Sequence, residues 1–174
     1  RMGFGLGLMQ GRVEYTPKTA EVVYNCNLCG ACDVSCKYAL EFDVLEPMYA
    51  IREEVVKHGQ PNKAWDKLVA GMKKNAPVTV GSRGKRSEWY KGVDVKNYTM
   101  EKAAVVYHAG CLASTDAAAG AVAKAAVSLL KKAGLDVGVA KAGDLCCGGR
   151  SYEMGYREAA LEQARLNVER LKAS

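Results

Sequence analysis

The feature that most limits what this chain can become lies near its start, where Cys26, Cys29, Cys32 and Cys36 form a C-x2-C-x2-C-x3-C run. Two-residue gaps let three thiolates of one tight loop converge on a compact inorganic cluster, while the fourth cysteine, after a longer gap, is placed to look elsewhere. Gly30 falls where such a loop has to bend sharply. Zinc sites usually take two short ligand pairs from separate segments, so this crowding favours iron and sulfide over a zinc knuckle. A disulfide framework fits less well, because closures this short give poor Cα geometry.

The rest of the cysteine usage agrees with a reducing setting. There are seven cysteines, an odd number and clustered, which argues against a secreted disulfide scaffold and for thiolates that hold metal. The expected location is cytoplasmic, with membrane association only through partners. The longest apolar runs, Phe4 to Met9 and Ala117 to Leu130, are too short or too interrupted to span a bilayer, and no signal peptide is visible. Residue 1 is Arg, which leads us to expect the middle of a longer polypeptide.

The net charge of +6 is concentrated in one stretch: residues 63 to 102 hold ten Lys and Arg against four Asp and Glu. Its centre, Arg83 to Arg86 beside Trp89 and Tyr90, alternates cations and aromatics as a nucleic-acid patch would. No nucleic-acid motif accompanies it, so a solvated connector resting on an acidic partner protein is the better reading, with no nucleic acid as partner.

Local signals place the loop between helices. Thr16-Pro17 is a helix start, with a side-chain acceptor at the N-cap and proline at the first helical position. Pro47 opens a second helix with Met48, Ile51 and Val55 on one face, Gly59 as its stop and His58 as a surface cap at its end. A further helix is expected from about Ala64 to Lys74, followed by an irregular crossing.

Beyond residue 100 the pattern changes to β-α-β-α. Ala103 to Tyr107 suits a buried strand, Ser114 to Asp116 offer caps for a helix to Ala133, and Gly134 stops it. Leu135 to Ala140 is a second strand, and Met154 to Lys172 a last helix with Ala160, Ala164, Val168 and Leu171 on one face. The crossover makes the strands parallel, which sets the loops at their carboxyl ends side by side. Cys111 leaves the first strand, and Cys146 and Cys147 follow the second, 35 and 36 positions on. His108 is near enough in sequence to donate a hydrogen bond or a proton to them, though a packed or solvent-facing role suits it equally. Cys111 as an ordinary core residue, or a strained vicinal disulfide at Cys146-Cys147, are the competing readings.

Taken together, the C-x2-C-x2-C-x3-C segment, Cys111, a gap of 34 residues, and Cys146-Cys147-Gly148-Gly149 resemble iron–sulfur subunits with cysteine-rich "CCG" domains. That group includes the iron–sulfur subunits of heterodisulfide reductase, of glycolate oxidase and of anaerobic glycerol-3-phosphate dehydrogenase. Gly155 and Ala164 to Asn167 also resemble the helix after the family's cysteine pair.

The resemblance implies an α+β chain. A small all-helical ferredoxin-like domain holding 4Fe-4S would occupy residues 1–60, as the second half of such a domain. A basic linker would follow over 61–101, and the N-terminal part of an α/β CCG domain over 102–174. Cys26, Cys29, Cys32 and Cys36 become cofactor-binding residues for one or two 4Fe-4S clusters, with Cys36 serving a cluster whose other ligands precede residue 1. Cys111, Cys146 and Cys147 become metal ligands and catalytic residues around a further, non-cubane 4Fe-4S cluster.

The implied function is electron transfer within an anaerobic multi-subunit oxidoreductase, in its sharpest form one that reduces a disulfide. A relay from a flavin dehydrogenase acting on a 2-hydroxy acid or glycerol phosphate is the alternative, and a redox-sensing or assembly module the non-enzymatic one. The implied partners are a flavoprotein or a membrane cytochrome subunit. The chain departs from the family pattern in having one such cysteine run instead of two, with Lys37 after its last cysteine where Pro is usual, and in ending before a closing C-x2-C pair. Gly3, Gly5 and Gly7 lack the strand that a dinucleotide fingerprint needs.

Overall fold

The computed structural model describes residues 2–73, 88–141 and 143–173. The described residues are helix-rich, with one small parallel sheet among them, and belong to the α+β class. The chain divides into two compact units that do not follow its order. Unit 1 comprises Arg1–Val69 and Gly149–Ala160, and unit 2 comprises Ala70–Gly148 and Leu161–Ser174. The patch Arg83 to Arg86 lies outside the described residues.

Unit 1 is built from short helices: α1 (Met2–Met9), α2 (Pro17–Tyr24), α3 (Ala31–Leu40), α4 (Leu45–Lys57), most of α5 (Lys63–Lys73) and, from far along the chain, α8 (Gly149–Glu153). Alone in water, helices of this length are marginal. They hold because Leu8, Ala20, Val23, Met48, Ile51 and Val55 share one core, where a fully buried Val or Ile contributes about 1.5–3 kcal/mol. Thr16 caps α2 as its sequence foretells, its hydroxyl accepting from Thr19 N at 3.2 Å. Helix α4 begins at Leu45, two residues before Pro47, because its first turn is capped from another helix. Asp33 Oδ1 accepts from Val44 N at 2.7 Å and from Leu45 N at 3.0 Å. His58 is indeed the C-cap of α4, its ring stacked on Tyr15 with centroids 3.7 Å apart.

Unit 2 holds the sheet. Strands β1 (Lys96–Asn97), β2 (Val105–Val106) and β3 (Val137–Val139) are ordered β1-β3-β2, all parallel, with Lys96 opposite Gly138 and Val105 opposite Val137. The crossover from β2 to β3 runs through α6 (Leu112–Thr115) and α7 (Ala117–Lys132), the latter capped by Asp116, which accepts from Ala119 N at 2.7 Å. Strand β1 comes from the stretch expected to be irregular. By pairing with β3 it makes β3 the central, fully buried strand and leaves the expected buried strand, β2, as a half-buried edge. Trp89 and Tyr90, the aromatics beside the basic patch, pack on the core of Val95, Val127, Val137 and Val139.

The expected last helix is present as α9 (Arg157–Lys172), which starts three residues later than expected because the chain turns at Met154 and Gly155; the short α8 precedes it in a stretch for which no helix was expected. The apolar face proposed for it is also corrected. Ala160 is buried, but Ala164 is exposed, and Val168 and Leu171 remain 49% and 44% exposed. The inward side is instead Ala159, Ala160 and Gln163, continuing to Asn167 and Arg170, whose polar ends have partners within unit 2.

Candidate functional sites

In unit 1 the cysteine run occupies a loop and the start of a helix. Cys26 and Cys29 lie in the loop after α2, while Cys32 and Cys36 stand one turn apart on α3, a spacing that sets them on the same helix face. Cys29 and Cys32 are exposed, and Cys26 and Cys36 are half-buried. The loop needs two left-handed residues, Leu28 at φ 54° and Gly30 at φ 75°. Gly30 adopts this without strain. Leu28 does not, and its side chain packs on the unit 1 core, which holds it there.

Side chains other than the cysteines support this loop. Asp33, between Cys32 and Cys36, joins α3 to the first turn of α4. Lys37 completes the tie with ion pairs of 3.0 Å to Asp33 and 2.5 Å to Asp43. The two backbone N–H donors and Lys37 hold the Asp33 carboxyl below the usual carboxylate range, and Asp43 with Asp33 pushes Lys37 up to about 12. Arg52, on α4, is 4% exposed. One of its terminal nitrogens donates to Glu153 O at 2.7 Å, and the other donates to the carbonyl of Cys26 itself. Its guanidinium lies 5.2 Å from the Tyr24 ring centroid and 5.7 Å from that of Trp65. Tyr24, pushed up to about 12 chiefly by burial, donates its hydroxyl to Met154 O at 3.1 Å.

In unit 2, Cys111 is the N-cap of α6, Cys146 is buried and Cys147 exposed. The two loops that carry them are joined by Asp144. Its Oδ2 accepts from Ala109 N at 2.9 Å and from Gly110 N at 3.1 Å, in the turn just before Cys111. His108 faces this carboxylate, Nδ1 to Oδ1 at 3.5 Å. On the other side, Asn167 of α9 donates to Cys146 O at 2.9 Å, and Arg170 to Gly143 O at 3.4 Å.

None of the seven cysteines is joined in a disulfide. Among the described residues, no three or more Cys, His, Asp or Glu side chains are gathered closely enough to hold a metal ion. Neither cysteine set therefore forms a closed ligand shell. In donor type the residues still suit an iron–sulfur cluster, because soft thiolates are its usual ligands, the loop and α3 together offer four of them, and the one carboxylate in the run, Asp33, is bonded to Val44 N, Leu45 N and Lys37.

Sequence reasoning missed Arg52 and Asp144, and named Asn167 only within the run Ala164 to Asn167, not for its bond to the Cys146 loop. Arg52 had a readable signal, a charge set among Met48, Ile51 and Val55 on an otherwise apolar face. The bonds of Asp144 and Asn167 had none, since each acts on a loop that only the tertiary fold brings to it.

With this geometry in place, comparison identifies the class of the later part of the chain. Residues 105–174 match the family model of the CCG cysteine-rich domain, which is found in iron–sulfur oxidoreductase subunits and is consistent with a general redox role. No curated protein and no solved structure matches the chain. Among the described residues, no helix is long and apolar enough to cross a membrane.

Proposed function

We propose that this protein is an iron–sulfur electron-transfer component of a larger oxidoreductase, similar to the iron–sulfur subunit of heterodisulfide reductase. The observation that carries the reading is the cysteine run itself, placed on a core-anchored loop and helix with two thiols exposed and two half-buried. A bound 4Fe-4S cluster would supply one-electron redox chemistry there. The chain's own part is to present Cys26, Cys29, Cys32 and Cys36 as thiolates, to hold the loop through Leu28 and Arg52, and to fix α3 against α4 through Asp33. Exposure of Cys29 and Cys32 leaves the site near enough to the surface for a partner protein to exchange electrons with it.

The CCG match supports a second redox centre at Cys111, Cys146 and Cys147. In the disulfide-reducing form of the reading, exposed Cys147 is the thiol that an incoming disulfide meets first, while buried Cys146 is held by Asn167.

Iron and acid-labile sulfide assays on anaerobically prepared protein, with electron paramagnetic resonance of the reduced sample, test the first part. Protein that carries zinc, or neither element, removes it. Adding candidate disulfides to reduced protein should raise a new paramagnetic signal that Cys147→Ala abolishes. Persistence of the signal in that variant rules out a role for the CCG cysteines.

A further inference from the structure

Among the described residues, Arg52 is a buried cation with no ion-pair partner. It is 4% exposed, its Nε is enclosed with no acceptor, and it forms no ion pair among the described residues. Its solvation consists of two main-chain carbonyls, those of Cys26 and Glu153, and the faces of Tyr24 and Trp65. Carbonyl dipoles and ring quadrupoles offset only part of what it costs to take a guanidinium out of water. Burial pulls the Arg52 pKa down, and Cys26 first, then Tyr24, Glu153 and Tyr49, act in the opposite sense. A fold that keeps such a charge is suited to an anion at the same place; of the two anion-forming residues whose carbonyls Arg52 holds, the Glu153 carboxylate is already paired with Arg150, which leaves Cys26.

Resting on the iron–sulfur reading, we propose that Arg52 is the built-in counter-cation of the centre held by Cys26, Cys29, Cys32 and Cys36. It raises the reduction potential of that centre and anchors the Cys26 loop to Glu153. A fixed positive charge in a medium of low dielectric stabilises the more negative, reduced form more than the oxidised one. Arg52 is thus a positioning residue. It acts through the Cys26 loop and the local field, and its two terminal nitrogens are already committed to carbonyls.

The test uses the full chain, loaded anaerobically with ferrous iron and sulfide. Metal content and midpoint potential are measured by dithionite titration followed by electron paramagnetic resonance, for the wild type, Arg52→Met and Arg52→Lys. Arg52→Met should still bind iron. At the wild-type midpoint its ratio of reduced to oxidised centre should fall about tenfold, which is 59 mV for a one-electron couple. Arg52→Lys, which keeps the charge but not the fork, should stay within about threefold of the wild type. An unshifted Arg52→Met, or an Arg52→Lys that falls as far, overturns the proposal. If Arg52→Met does not fold by circular dichroism, Arg52→Lys decides by the same criterion. A wild type without iron sinks the parent reading, whereas a loaded wild type with an unshifted variant sinks only the role of Arg52.

Discussion

Asp144 and Gly155 show how much of this molecule depends on single positions. One oxygen of Asp144 satisfies two backbone N–H groups ahead of Cys111, and the residue itself belongs to the loop of Cys146. Asp144→Ala leaves both half-buried donors without that acceptor, at a cost of about 1 kcal/mol, below the full penalty of a buried unsatisfied donor. The denaturation midpoint should fall accordingly, and mass spectrometry after maleimide labelling should show Cys146 modified faster than in the wild type. Gly155 has φ 88°, and a Cβ there would lie 2.5 Å from the main-chain carbonyl carbon and oxygen of Arg52. Neither atom is at the end of a flexible side chain, so the contact is not easily relieved. Gly155→Ala should destabilise unit 1 by about 3 kcal/mol, read by urea denaturation, with a smaller loss for Gly11→Ala, which shares the left-handed backbone (φ 68°) but whose added Cβ meets nothing within 4 Å.

At the scale of elements, α3 is fastened to the rest of unit 1 largely by polar means. Its residues are none of them buried, and Val34, Tyr38 and Leu40 are exposed. What fixes it is Asp33 on the first turn of α4, reinforced by Lys37. The Asp33 pKa in the folded protein lies below its usual value of 3.8. A depressed carboxylate pKa contributes stability that is complete above the unfolded value and is lost as pH falls through the folded one. The tie should therefore hold at neutral pH and weaken as the pH drops below about 4. Hydrogen exchange at the Val44 and Leu45 amides should accelerate over that range, and Asp33→Asn should make their exchange fast already at neutral pH. Pro47 marks this helix start in the sequence, but only the arrival of Asp33 from eleven residues earlier explains why α4 begins before the proline.

For the whole molecule, the chain leaves unit 1 after Val69 and returns to it at Gly149–Ala160, so the support of the first cysteine loop is completed by residues more than a hundred positions later. If the loop holds an iron–sulfur cluster, ligand binding adds to folding free energy, and anaerobic chelation of iron should lower the melting temperature. An unchanged melting temperature would show that unit 1 stands on its apolar core alone. The cysteine run, the Thr16 cap, the stops at Gly59 and Gly134, and the parallel pairing of β2 with β3 were all legible in the sequence, because each is encoded by spacing or by chemistry within a few residues or one crossover. What only the tertiary structure decided were the strand β1, the polar inward face of α9, and the roles of Arg52 and Asp144. The physical reason is common to all four. Two residues are too few to show a period, and a polar side chain near a long-range carbonyl or amide looks, in one dimension, the same as one facing water.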